Sequence, residues 1–394
     1  MPERTPGYVF FVKSFEFIFP NTYAPIVVAA QLVLGLFAVH FFYNRIAWML
    51  SLNYLIKIIV LVLLIAPFFP PLLVANNICS EGLSYPFYLF FLSFGFEFLN
   101  TEKKRTFFLF FISYLLLVLT RGQFLITSAI FALVYFFKHR SGSFKRRHFI
   151  RFALICIFPL FVIFTDRSYH KLKDGVFKST PYTYVNISAS AFYVSNESDA
   201  EFIENEEYRE LFRRCHQTLS RKNLLLSSKK RKGYEEYYQH FHNHVPQICN
   251  QTVHDISRDY FFKKYLNTNT DLKKASVYSL WQSELFCKNV FFVLIKHNFA
   301  SWLHLYCSNI VHGFKSIFLL LFVVLIFLIS TFKVFLGNHK NYSLLFVMSA
   351  LTLSNAMIVS LASHSIIRYL FYNYVLILLM LVILFKLFSN AKRH

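Results

Sequence analysis

Three charged residues stand where this chain is least able to solvate them. Glu81 follows the proline-rich stretch PFFPPLLVANNICS and opens the apolar run SEGLSYPFYLFFLSFGF. Arg121 closes the apolar run TFFLFFISYLLLVLT, and Arg368, four residues after His364, heads the run SHSIIRYLFYNYVLILLMLVILF. Basic side chains at helix ends can anchor to lipid headgroups. Two arginines near one membrane face can instead hold an anion and stabilise charge that develops on a leaving group. A carboxylate beside them offers a general base, a metal ligand or a partner for either arginine. The run 106–120 makes only ~22 Å of helix, short of a ~30 Å hydrocarbon core. The segment RGQ (121–123) therefore turns the chain within the membrane region. An arginine there is expected to face a protein cavity, because facing lipid costs several kcal/mol.

The elements that must position these residues are membrane helices. Of 394 residues, 56% are hydrophobic, 20% aromatic and only 15% charged, which excludes an ordinary soluble domain. The pattern predicts an all-α, multi-pass bundle of about nine spans: 24–43, 54–76, 84–100, 106–120, 122–138, 149–165, 315–335, 341–362 and 366–388. It divides the chain into an N-terminal bundle (1–165), an α-rich extracytoplasmic domain (166–314) and three closing spans (315–394). Most basic residues of the short loops, including TEKKR (101–105) and KHRSGSFKRRHFIR (138–151), fall on one side. The other side gathers only Arg4, Lys13, Arg121, Lys315 and Arg368 once the long loop is set aside. The positive-inside rule then places the C-terminus in the cytoplasm, with the N-terminus and 166–314 outside. Basic loops explained by topology need no nucleic-acid partner. The first residues carry no small-residue cleavage site, so either a further upstream span is expected to bring Met1 across the membrane or the true span count differs by one.

The 166–314 segment holds most of the acidic residues, and its helical pattern ends in an interfacial stretch, 291–314, with Trp302 and Tyr306. Cys215–Cys249 is the disulfide pairing considered for it. His240, His242 and His244 alternate in QHFHNHV, but the surrounding pattern is helical, and a solvated cluster is favoured over a metal site. No nucleotide-binding fingerprint, HExxH or Ser-His-Asp context is present, so a nucleotide-driven reaction is unsupported.

Several stretches together resemble the GT-C membrane glycosyltransferases of the protein-mannosyltransferase and aminoarabinose-transferase type. TPGYVFFVKSFEFIFPNTYAPIVVAAQLVLGLF is similar to that superfamily's juxtamembrane segment and Gln-bearing span. SEGLSYPFYLFFLSFGF resembles its span with an acidic residue at the outer start, here Glu81. LTRGQFLITSAIFALVYFF resembles its basic residue after a short span, here Arg121. SIIRYLFYNYVLILLML matches the last span at Arg368 and Tyr369, with Asn373 and Tyr374 where proline is usual. The resemblance implies a polyprenyl- or dolichyl-phosphate sugar donor and transfer on the outer face, in a bacterial inner membrane or an ER-type membrane. It implies a phosphate held by Arg121, Arg368, His364 and Tyr369, and a glycan, lipid or protein acceptor. No metal ligand is assigned, and the cofactor stays open, a divalent metal included. The family's catalytic acid precedes the PGY stretch. Here the only carboxylate upstream of Pro6 is Glu3, which is not given that role, so Glu81 is the expected catalytic carboxylate. The alternatives are an envelope polysaccharide polymerase or ligase, a non-catalytic relative, and a transporter.

Overall fold

The computed structural model describes residues 5–140, 145–228, 234–337 and 340–391, and among them every regular element is a helix. In chain order these begin with α1 (Pro6–Ile18), α2 (Tyr23–Met49), α3 (Tyr54–Ile65), α4 (Ser80–Thr101), α5 (Lys104–Thr120), α6 (Thr127–His139) and α7 (Arg146–Asp174). Next come α8 (Thr183–Val194), α9 (Glu206–Arg221), α10 (Tyr234–Ile248), α11 (Asp255–Leu266), α12 (Leu272–His297) and α13 (Phe299–Phe314). The chain closes with α14 (Ile317–Phe335), α15 (Lys340–Ala362), the short α16 (Ile367–Leu370) and α17 (Tyr372–Ala391). Two compact units result. One comprises Arg4–Tyr169, Ile317–Asn355 and Ile367–His394; the other comprises His170–Ser316 with Ala356–Ile366.

Among the described residues, seven helical segments are long and apolar enough to cross a membrane: Tyr23–Met49, Ser80–Thr101, Gly122–His139, Arg146–Asp174, Ile317–Phe335, Asn341–Ala362 and Tyr372–Ser389. The protein is therefore a multi-pass integral membrane protein. Two of the nine expected spans are shorter helices. The run 54–76 stays helical only to Ile65 and then passes through a tight turn, Ala66–Phe68. Pro67, Pro70 and Pro71 lack the N–H groups that would continue it. The run 106–120 lies in α5, a helix of 17 residues. The last expected span, 366–388, is broken: α16 carries Arg368, and the long apolar helix starts only at Tyr372.

The first unit is built around α4, which packs against α2 and α5. The abundance of phenylalanine fills this packing with ring-on-ring contacts, such as Phe91–Phe110 at 5.1 Å and Phe110–Phe131 at 5.0 Å between centroids. Gly95 lets α4 approach them: a Cβ there would lie 2.5 Å from Phe131 Cε1. Gly95→Val is expected to cost about 1–3 kcal/mol, as overpacking of a filled core does. The check is the thermal unfolding midpoint in detergent; wild-type stability would mean that Phe131 can swing aside.

In the second unit, α8, α9, α10 and α12 enclose an apolar core that includes Phe192, Phe212, Phe241 and Phe286. Glu284 on α12 accepts hydrogen bonds from the N–H groups of Tyr182, Tyr184 and Val185 at 3.1, 2.8 and 3.1 Å, which closes the first turn of α8. The considered Cys215–Cys249 disulfide is not formed. Both are free thiols buried in this core, where Cys249 Sγ donates to Val185 O instead.

Candidate functional site

The site begins with a buried glutamine. Gln31 on α2 is fully enclosed and donates from Nε2 to Asn77 O at 3.0 Å, which fixes the irregular stretch 69–79 over the start of α4. Gly82 makes that approach possible, because a Cβ there would lie 2.7 Å from Val74 O and 2.8 Å from Gln31 Cδ. Glu81 is thereby set in the first turn of α4 with 2% of its surface exposed.

Two arginines converge on it. Arg121, the residue at which α5 ends, places Nη1 2.9 Å from Glu81 Oε1. Arg368 on α16 places Nε 2.8 Å from the same oxygen. Both guanidinium groups also lie over the ring of Tyr369, at 5.0 and 5.7 Å from its centroid. The expected cation at the end of a short helix is thus turned into protein and away from lipid, as the cost of an unmatched charge requires.

The two arginines differ in how they are held. Arg121 is almost enclosed: Nε and Nη2 donate to Gln123 Oε1 at 3.1 and 2.7 Å, and Nη1 also reaches Ser80 Oγ at 3.4 Å. Gln123 in turn donates to Asn355 Oδ1 at 3.0 Å, and Asn355 donates to Asn373 Oδ1 at 3.1 Å. Asn373 ends the relay on Thr352 O at 3.3 Å. Arg368 is bound through Nε, and 47% of its side chain is exposed. One carboxylate between two guanidinium groups leaves the cluster with a net positive charge. Below the cluster, Tyr372 shares a 2.7 Å hydrogen bond with Ser84 and packs against Tyr85, Tyr88 and Phe124, making an aromatic floor.

No family model, no curated protein and no solved structure matches this chain.

Of the sequence-predicted site residues, Glu81, Arg121, Arg368 and Tyr369 come together. His364 belongs to the second unit, where its ring lies 4.9 Å from that of His242. His242 in turn lies 4.8 Å from His312. Burial holds His364 and His312 well below the usual histidine range, to about 4 in each case. The alternating pattern at 240–244 is helical, as its surroundings predict, so the His240 ring lies beside that of His244, tilted at 47°, while His242 turns to a different face. Gln123, Asn355 and Asn373 were not anticipated as site residues. Their only sequence signal is that each is an amide beside or within an apolar run.

A second charged cluster lies at the other end of α4, about 30 Å along the helix axis from Glu81. Glu102 contacts Lys138 and His139, each at 2.9 Å, and Arg151 at 3.4 Å. Burial works to raise its carboxyl, but the hydrogen bond and charge of Lys138, with the neighbouring His139 and His148, together hold Glu102 below the usual carboxylate range. A carboxyl with a depressed folded-state value adds stability above its unfolded value, and that stability is lost as pH falls through the folded one. Glu102→Gln is therefore expected to lose less stability than wild type on acidification from about pH 6 to about pH 3. Parallel unfolding profiles for the two proteins would contradict this.

Proposed function

We propose that this chain is a membrane glycosyltransferase that moves a sugar from a polyprenyl- or dolichyl-phosphate donor to an acceptor on the extracytoplasmic face. The observation that carries the reading is the sharing of one buried carboxylate oxygen by Arg121 and Arg368 at the end of a bundle of apolar helices. A lipid phosphate brings its anion to that depth, with its chain in the bilayer. In the reaction, the bond between the anomeric carbon and the phosphate oxygen breaks, and its electron pair stays on the phosphate. The acceptor hydroxyl forms the new bond and gives up its proton. Arg368 meets the phosphate with its outer N–H groups, while Arg121 adds a fixed charge from behind. Both act without reorganising, because Glu81, Gln123 and Tyr369 already hold them.

Glu81 works in this reading as a positioning residue. A carboxylate whose Oε1 already accepts from two guanidinium groups is a weak base, so the acceptor's proton passes to an oxygen of the departing phosphate. The polymerase or ligase alternative would need an essential basic patch on the 166–314 segment; its densest basic run, 229–232, lies outside the described residues.

The test is a comparison of two lipids on the purified full chain in detergent. Polyprenyl phosphate is expected to bind and raise the unfolding temperature, whereas the neutral polyprenol of equal length should do neither. Equal binding of both lipids would overturn the proposal, because the arginine pair would then play no part in recognition.

A further inference from the structure

The three histidines of the second unit come from elements far apart in sequence: His242 from α10, His312 from α13 and His364 from the segment after α15. A metal ion holds imidazole nitrogens ~2.0–2.1 Å away. Ring centres then sit roughly 3.2 Å from it, and two of them at a tetrahedral angle are separated by about 5 Å. The centroid distances from His242 to His312 and to His364 are 4.8 and 4.9 Å.

The hydrogen bonds around His242 fix its tautomer. Asn309 Nδ2 donates to Ser360 O at 2.9 Å and Ser363 O at 2.8 Å, and carbonyl oxygens can only accept. Asn309 Oδ1 must therefore face Tyr238, which gives it the hydroxyl proton. The Tyr238 oxygen is left to accept, from Ser365 N–H at 3.3 Å and from His242 Nδ1–H at 3.4 Å. His242 Nε2 then carries the lone pair, the state in which imidazole ligates a metal. The same Asn309 bonds pin the 360–365 segment that supplies His364. On His312 a cation already occupies the ligating position: Lys315 Nζ lies 3.2 Å from Nε2.

We propose that His242, His312 and His364 form a binding site for a divalent transition metal of the zinc, cobalt or nickel class, with Lys315 as a built-in competitor for the third ligand. Three neutral nitrogen ligands select this class over magnesium or calcium. They leave a fourth position open for water or an oxygen ligand. Ring rotation of His312 and withdrawal of Lys315 complete the set. Among the described residues, Glu102, His139 and His148 have donor atoms already closer together. That set is the poorer candidate. Lys138 and Arg151 already neutralise the carboxylate, and the two rings stack at 3.9 Å and 15°, which aims their nitrogens side by side and not at one point.

The experiment titrates Co²⁺ into the chelator-stripped full chain in detergent and reads visible ligand-field absorption together with bound metal per chain. One ion per chain with tetrahedral bands is expected. His242→Ala should abolish it, Tyr238→Phe should weaken it by ~10–100-fold, and the double variant His240→Ala/His244→Ala should leave it unchanged. Lys315→Gln should tighten binding, a gain that misfolding cannot mimic. Absence of stoichiometric binding in wild type overturns the proposal, as does unchanged binding in His242→Ala or weaker binding in Lys315→Gln. The readout needs no donor lipid, so its failure and that of the proposed transferase activity are separate events.

Discussion

Glu81→Ala is expected to destabilise the protein by about 3–5 kcal/mol, the usual cost of removing one partner from a buried ion pair. The size follows from what is left behind. Arg121 has 12% of its side chain exposed, so its charge cannot turn to water when the carboxylate is gone. Gln123 still accepts from it but carries no charge to balance it. Glu81→Gln keeps the volume and some hydrogen bonding and should recover only part of the loss. The double variant Glu81→Ala/Arg121→Met should be more stable than Glu81→Ala alone, because it removes the stranded cation together with its partner. Chemical or thermal unfolding in detergent reads all three. A loss below about 1 kcal/mol in Glu81→Ala, the range of an exposed pair, would mean that the carboxylate is solvated and does not organise the arginines.

Features set by local chemistry were legible in the sequence. The shortness of the apolar run before Arg121 foretold a turn with a cation directed into protein, and Arg121 does reach Glu81 at 2.9 Å. The helical pattern around 240–244 likewise foretold that the three alternating histidines would not line up on one face as they would in a strand, and His242 turns away from His240 and His244. Composition alone does not say where a helix stops. The residues 54–76 are apolar throughout most of their length, yet Pro67, Pro70 and Pro71 let only the first half form a regular helix. What the sequence could not reveal were partnerships between distant elements. Gln123 and Asn355 are 232 residues apart, and nothing in either neighbourhood points to the other. His312 stands in an ordinary interfacial helix pattern, and only the fold sets it beside His242.

Arg368→Ala is expected to produce the opposite profile from Glu81→Ala: a large loss of ligand binding with little loss of stability. Arg121 still balances Glu81 when Arg368 is removed, and a side chain 47% exposed contributes to stability on the scale of a surface ion pair, up to about 1 kcal/mol. Its hydrogen bonds to an anion are charge-assisted and worth about 1.5–3 kcal/mol. Polyprenyl phosphate should therefore bind roughly 10- to 100-fold more weakly to Arg368→Ala, while the unfolding midpoint without lipid stays near that of wild type. Arg368→Lys separates charge from geometry. It restores the positive charge, but an ammonium cannot use one edge for Glu81 and offer a planar fork to phosphate. Binding intermediate between Arg368→Ala and wild type is the expected result for that variant. If Arg368→Ala binds polyprenyl phosphate as tightly as wild type, the anion does not meet this arginine, and the phosphate site proposed around Glu81 falls with it.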